Sequence, residues 1–223
     1  MKQKLRVGVL ASGGGTDLQS IIDASEKKMI DAEVVAVISD KKDAFALKRA
    51  EKHKIKSFFV DPKGKDKQDY DKELDKILEN SKVDLVVGAG YMRILSSCFV
   101  KKWYGKLINI HPALLPSFKG ICGQKDALDY CVKISGCTTH FMDENMDHGP
   151  IIMQAAVKVM SDDDKDALAH RILEAEHQIL PRTIDLFAKG RLKIKGRKVI
   201  IKKGDSWKDK YKTLPDVLYS EGY

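Results

Sequence analysis

The stretch Leu5-Arg6-Val7-Gly8-Val9-Leu10-Ala11-Ser12-Gly13-Gly14-Gly15-Thr16-Asp17-Leu18 carries the first decision about the fold. Residues 5 to 10 are a short, β-branched-rich run of the kind that forms a buried strand. Three consecutive glycines break it, and Thr16, Asp17 and Leu18 open a helical pattern. Strand, glycine turn and helix in that order are the first half of a βαβ unit. The glycines let the backbone turn tightly, and the unpaired N–H groups of a helix start attract an anion. Leu18 stands where a dinucleotide fingerprint needs its third glycine, and no Gly-Lys-Ser/Thr follows as in a triphosphate loop. A mononucleotide-sized phosphate is therefore the expected ligand. A ligand-free turn with Thr16 or Asp17 as N-cap would use the same residues.

The pattern repeats outward. Residues 33 to 39, 57 to 60 and 83 to 88 read as short strands, separated by helical patterns near 17 to 30, 43 to 54 and 68 to 80. Alternation of this kind predicts a parallel sheet covered on both faces. Further strands are expected at 106 to 110, 135 to 142 and 151 to 158, the last two joined through Gly149-Pro150. A long helix is expected from about 163 to 188, with Asp162 to Asp164 at its start. The fold class is thus α/β: a doubly wound, mostly parallel sheet flanked by helices, with antiparallel strands in its C-terminal part.

The chain has 223 residues, 43% hydrophobic and 32% charged, which suits a globular protein with a real core. No apolar run has the length of a membrane span, and Met-Lys-Gln-Lys-Leu runs straight into a strand pattern rather than a signal peptide. A cytoplasmic protein with no membrane partner is expected. Cys98, Cys122, Cys131 and Cys137 show no CxxC spacing and read as reduced thiols. The net charge of +8 favours anionic partners. Residues 189 to 203 hold eight basic residues and no acidic one. No aromatic residue interleaves them to stack on bases, so a solvated hairpin is expected there, with no nucleic-acid partner. The division expected is a catalytic domain over 1–190 and a basic hairpin and tail over 191–223, packed on the same domain. The sequence leaves a homodimer open.

A second stretch carries the chemistry: Asn109-Ile110-His111-Pro112-Ala113-Leu114-Leu115-Pro116. If 106 to 110 is a strand, alternation puts Asn109 and His111 on one side of it. Pro112 then stops the ladder for want of an N–H. An amide and a titratable base would emerge together at a strand's carboxyl end, where open α/β sheets bind ligands. The plainer alternative is a turn begun by Asn109 and a strand capped by His111. Downstream, His140 lies on a strand that enters the acidic loop Asp143-Glu144-Asn145-Met146-Asp147-His148. An acid of that loop can bond an imidazole, raise its pKa and fix its tautomer. Whether the imidazole is His111, His140 or His148 stays open, as does a merely solvated turn. No HxxxH or HExxH spacing is present, and no metal is expected.

Taken together, these pieces resemble the folate-dependent phosphoribosylglycinamide formyltransferases, the glycinamide ribonucleotide transformylases. The likeness runs from about Leu5 to Leu192 and rests on five motifs in order. They are the Ala-Ser-Gly-Gly-Gly-Thr loop, Gly90-Tyr91-Met92-Arg93-Ile94-Leu95, the Asn-Ile-His-Pro run, the spacing from His140 to Asp147, and Glu174-Ala175-Glu176-His177. The resemblance implies a formyltransferase-like doubly wound fold. It also implies direct transfer of a formyl group from 10-formyltetrahydrofolate to the amine of 5-phosphoribosylglycinamide, through a tetrahedral intermediate, in de novo purine synthesis. By position, Asn109, His111 and Asp147 match the catalytic trio of that family. Gly15, Thr16 and Asp17 match the loop that holds the substrate phosphate, and Glu176 a residue near the ribose. Met92, Arg93, Ile94 and Leu95 match the segment lining the folate pocket, with Asn109 reaching the same ligand. Lys67 matches a basic folate contact, and His140 a histidine beside the trio.

Three departures stand out. Asp17 replaces a common Asn, which would set a carboxylate beside the phosphate unless it turns away as an N-cap. Ile121-Cys122-Gly123-Gln124-Lys125 replaces a run that often carries histidines. Lys67 replaces a frequent Arg, trading a planar fork for a point charge. Without the joint pattern, Met92, Ile94 and Leu95 would read as core, and His177 as a packed or surface histidine.

The nearest alternatives are other 10-formyltetrahydrofolate enzymes, a methionyl-tRNA formyltransferase or a formyltetrahydrofolate hydrolase. The first is expected to carry a sizeable C-terminal RNA-binding domain, yet only about thirty residues follow Gly190. The second is expected to carry an extra N-terminal domain, yet the first strand pattern begins at residue 5. A non-catalytic phosphate or folate sensor would not need Asn109, His111 and Asp147 intact. A basic nucleic-acid binder would bind with steep salt dependence.

Overall fold

The computed structural model describes residues 4–204 and 213–223. In chain order the elements are β1 (Leu5–Leu10), α1 (Thr16–Glu26), β2 (Ala32–Ser39), α2 (Phe45–Lys52), β3 (Lys56–Phe59), α3 (Lys67–Asn80), β4 (Leu85–Gly88), α4 (Ser97–Lys102), β5 (Leu107–His111), α5 (Gly123–Asp129), β6 (Ile134–Phe141), β7 (Ile151–Lys158), α6 (Lys165–Ala188), β8 (Leu192–Lys195), β9 (Lys198–Ile201) and β10 (Leu218–Tyr219). Asp66, Ser96 and Asp164 cap α3, α4 and α6 by accepting from the N–H three residues on. Gly15, in the left-handed conformation at φ 67°, is the N-cap of α1 and offers no side chain. Neither Thr16 nor Asp17 caps that helix, because both lie inside its first turn.

Eight strands form one sheet in the order β10-β7-β6-β5-β4-β1-β2-β3. From β3 to β5 every pairing is parallel, and β5, β6, β7 and β10 are joined antiparallel. After β1 the chain winds one way to β2 and β3, then returns across β1 to β4 and β5. The direction of winding therefore reverses between β1 and β4, and the loops leaving their carboxyl ends splay apart into a crevice. The glycine loop leaves β1 on one side of that crevice, and Ala89 to Leu95 leave β4 on the other.

Two apolar cores cover the sheet. Leu18, Ile21 and Ile22 of α1, Ala46 and Leu47 of α2, and Leu168, Ile172, Ile179 and Ile184 of α6 bury one face. Tyr70, Leu74 and Leu78 of α3 with Phe99 and Val100 of α4 bury the other. Gly8 sits under α3, where an added Cβ would meet Leu78 Cδ2 at 2.6 Å, so the strand needs a residue without a side chain there. Among the described residues no helix is long and apolar enough to cross a membrane.

The C-terminal part is built onto this frame. β8 and β9 make a separate antiparallel hairpin. Leu192, Ile194, Val199 and Ile201 face inward, while Lys193, Lys195 and Lys198 stay exposed. β10 extends the main sheet by pairing with β7. Beyond it Tyr223 stacks on Tyr219 at 3.8 Å between ring centres, and Arg182 Nε of α6 donates to Gly222 O at 2.7 Å. The short α4, α5 and β10 have too few residues to show a period in the sequence.

Candidate active site

The cluster at the centre of the crevice is built by strand register. The antiparallel β5–β6 pair sets Asn109 opposite His140, and a bulge between Thr139 and His140 re-aims the imidazole. His140 is 1% exposed. Its Nδ1 lies 3.0 Å from Phe141 O, a carbonyl that can only accept, so Nδ1 carries the proton. Burial lowers its pKa, and the neutral ring keeps a lone pair on Nε2. That lone pair accepts from Asn109 Nδ2 at 3.3 Å. The histidine thereby fixes which way the Asn109 amide points, with Oδ1 packed against Gly88, where a Cβ would approach it to 2.7 Å.

His111 is one pleat further along β5 and 3% exposed. Its Nε2 donates to Phe118 O at 2.8 Å, and Nδ1 faces Asp147 Oδ2 at 3.4 Å. Asp147 arrives from the β6–β7 loop with φ 47°, a left-handed backbone that is uncommon for a residue with a Cβ. Its Oδ2 accepts from the Gly120 N–H at 2.9 Å, and Oδ1 lies 3.8 Å from His140 Nε2. Asp147 therefore sits between two imidazoles and accepts from one backbone donor. His148 is held elsewhere, donating from Nδ1 to Asp143 at 2.7 Å. Two acids of the loop thus divide the histidines, Asp143 bonding His148 and Asp147 facing His111, with His140 close behind.

A cavity of about 260 Å³ opens beside this cluster. Asn109, His111 and Asp147 line it together with Met92, Arg93, Ile94 and Leu95. Met92 and Ile94 are 63% and 64% exposed, so two side chains that would read as core in isolation instead rim the cavity. Ile121 and Met146 join them there and are also exposed. Sequence reasoning passed over both because each sits in a polar loop without a period. It also passed over Ser12. The Ser12 N–H donates to Gly90 O at 3.0 Å and its Oγ accepts from the Met92 N–H at 2.9 Å, tying the glycine loop to the β4 loop. Arg93 lies over the Tyr70 ring at 4.5 Å. Lys67 is exposed at the first turn of α3 and is not among the residues lining the cavity.

The glycine loop forms the other wall. Gly15 adopts a conformation that disfavours any side chain, and a Cβ there would come within 2.8 Å of Ala46. Arg49 Nε donates to Gly14 O at 2.8 Å and bolts the loop to α2. Asp17 turns inward against α6, where Glu176 is also buried. A second cavity of about 390 Å³ runs along α1 past Thr16, Gln19 and Asp23 to Arg49 and His177. Among the described residues no group of His, Cys, Asp and Glu is arranged as a metal-binding set.

The crevice at the switch point of the doubly wound sheet has the start of α1 on one wall and Asn109, His111 and Asp147 on the other, at the carboxyl ends of the strands where open α/β sheets bind ligands. The chain belongs to the formyl transferase family, whose pattern matches residues 5–184. It is 41% identical over 191 residues to the phosphoribosylglycinamide formyltransferase of Escherichia coli, covering 85% of this chain and 90% of that one. It is 45% identical over 192 residues to the trifunctional purine biosynthetic protein adenosine-3 of Drosophila melanogaster. That match covers 85% of this chain but only 14% of the fly protein. The chain thus spans about a seventh of the length of this trifunctional relative. The crystal structure of glycinamide ribonucleotide transformylase 1 from Symbiobacterium toebii superposes with a TM-score of 0.89 at 43% identity. It covers 91% of this chain and 96% of that one.

Proposed function

We propose that the protein transfers the formyl group of 10-formyltetrahydrofolate to the amine of 5-phosphoribosylglycinamide, a cytoplasmic step of de novo purine synthesis. The observation that carries this reading is the convergence of Asn109, His111 and Asp147 on one cavity wall, laced through Ser12 to a phosphate-ready glycine loop. The donor fits what the cavity offers. Met92, Ile94, Ile121 and Met146 present apolar surface at its rim, suited to a planar and partly apolar group, while Asn109 and Asp147 supply polar contacts inside. Lys67 lies on the flanking helix and would meet the donor's carboxylates. Gly15, Thr16 and Asp17 would hold the acceptor's phosphate, and Glu176 its ribose.

When the amine attacks the formyl carbon, negative charge grows on the formyl oxygen. An amide or imidazole N–H aimed at that oxygen is the largest single effect available, and losing one costs about 3–4 kcal/mol of barrier. Asn109 is the residue built for this. His140 holds its amide in one orientation, so no reorganisation is needed as charge develops. His111 lies between Asp147 and the Phe118 carbonyl. It would relay the proton lost by the attacking amine to the folate nitrogen, which leaves as tetrahydrofolate when its bond to the formyl carbon breaks and the intermediate collapses. Asp147, 3.4 Å from His111 Nδ1, would orient that ring.

A spectrophotometric assay of a 10-formyl folate donor tests the assignment with three acceptors: glycinamide ribonucleotide, none, and charged initiator tRNA. Deformylation dependent on the ribonucleotide is the expected result. Loss of the donor without an acceptor would make the protein a hydrolase, and turnover only with tRNA would reassign the acceptor.

A further inference from the structure

Where α1 packs on α6, two carboxyl groups are buried, and among the described residues no lysine or arginine pairs with either. Asp17 is 9% exposed and Glu176 6%. Asp17 Oδ1 is shut off from solvent and accepts no hydrogen bond among the described residues. His177 Nε2 is 3.9 Å from it, beyond hydrogen-bond reach, and is likewise without a partner. Burial lowers the pKa of His177, so it supplies no positive charge. Arg49 of α2 is turned to Gly14 O and Gln19 Oε1. Glu33 of β2 pairs with Arg6, and Asp23 of α1 accepts from Gln19. Cys137 of β6 is a fully buried thiol that burial and the two carboxyls keep protonated.

Two like charges cannot both be ionised in so dry a place without a counter-ion, so a proton must stay on the pair. Burial alone raises the Asp17 carboxyl to about 7, and burial with the neighbouring Asp17 drives Glu176 well above the carboxylate range. Asp17 is also adjacent to Gly15 and Thr16 at the start of α1. As a neutral acid it can donate a hydrogen bond to a phosphate or hydroxyl oxygen. As a carboxylate it would repel a phosphate and leave a buried charge unpaired.

We propose that Asp17 and Glu176 form a proton-holding pair in the substrate wall, so that the ribonucleotide binds to the neutral acid form of Asp17 and is released when Asp17 ionises. This rests on the ribonucleotide being the ligand of the glycine loop. The pair thereby makes acceptor affinity, rather than the formyl transfer step, the pH-sensitive quantity near neutrality.

The test is isothermal titration of glycinamide ribonucleotide into the wild-type protein and Asp17→Asn from about pH 6 to about pH 9. The acceptor's own phosphate titrates near pH 6 and affects both proteins alike. In the wild type, affinity should fall on the order of tenfold per pH unit above about pH 7, with uptake of about one proton on binding. In Asp17→Asn both the slope and the proton uptake should vanish. A wild-type affinity independent of pH, or the same slope in Asp17→Asn, would overturn the proposal. A ligand-free arm separates it from the functional reading. Infrared spectra of carboxyl-labelled aspartate should show a protonated carboxyl lost near pH 7 in the wild type and absent in Asp17→Asn. That band with no ribonucleotide binding would keep the proton pair and remove its proposed ligand. No such band would remove the pair.

Discussion

The two walls of the crevice handle buried polar groups in opposite ways. On the wall formed by β5, β6 and the 143–148 loop, Asn109, His111, His140 and Asp147 each have a hydrogen-bond partner, Asn109 and His140 bonding each other and the others bonding backbone groups. On the wall formed by α1 and α6, Asp17 Oδ1 and His177 Nε2 are buried without partners among the described residues. Leaving such groups unsatisfied costs about 1–3 kcal/mol each, so a fold tolerates them where something else will pair them. The first wall is organised before any ligand arrives, as charge stabilisation requires. The second keeps two polar atoms buried beside the start of α1 with no partner among the described residues.

Breaking the organised wall should have the largest effect. Replacing His111 with Ala, or Asp147 with Asn, should lower kcat by roughly 10²- to 10⁴-fold while thermal unfolding stays cooperative. Asn109→Ala should cost about 10²- to 10³-fold in kcat. Steady-state turnover beside circular dichroism would show this, and full activity in any of the three would break the assigned mechanism. Disturbing the second wall should instead move substrate affinity. Gly15→Ala forces a side chain into a left-handed turn and against Ala46, and it should raise KM for the acceptor more than it lowers kcat.

The proton pair also leaves a mark on stability. Asp17 titrates near 4 in the unfolded chain and about 7 in the folded protein. Between those values the folded state holds a proton that the unfolded state has released. Its contribution is therefore complete at low pH and is lost as pH rises through about 7. Urea unfolding of the wild type should show stability declining over that window, and Asp17→Asn should flatten the decline.

Smaller effects sharpen the contrast. Arg197, in the β8–β9 turn, donates through its two guanidinium NH2 groups to His148 O at 2.9 Å and His148 Nε2 at 2.9 Å, next to Asp147. An exposed contact of this type is worth about 1 kcal/mol or less. Arg197→Ala should thus lower kcat by roughly fivefold or less, with acceptor KM unmoved. Gly8→Ala overpacks β1 against Leu78 and should cost about 1–3 kcal/mol of stability, with kinetics unchanged, as a control remote from both walls.

Much of the frame was legible because it is local. The strand, glycine turn and helix at residues 5 to 26, and the alternation that follows, depend on periods of two and of 3.6 residues that any window of sequence displays. Asn109 and His111 on one strand face follow from the same alternation. The helix near 17 to 30 was expected to run four residues further than it does, because Lys28 turns to φ 56° and α1 ends at Glu26. The sequence assigns no element to the tail after the expected hairpin, and β10 forms there by pairing with the edge of β7. Residues 205–212 of the expected basic tail lie outside the described residues.

What the sequence determined by itself was the class of fold, the order of its motifs, and which residue types stand ready for chemistry, since each rests on neighbours along the chain. Which imidazole Asp147 meets was decided only when a bulge in β6 and a left-handed residue in the next loop set their directions. The rim role of Met92 and Ile94, and the burial of Asp17 against Glu176, were likewise tertiary outcomes. Exposure and electrostatic coupling depend on segments brought together from distant parts of the chain, as Asp17 and Glu176 are, and no local period encodes that distance.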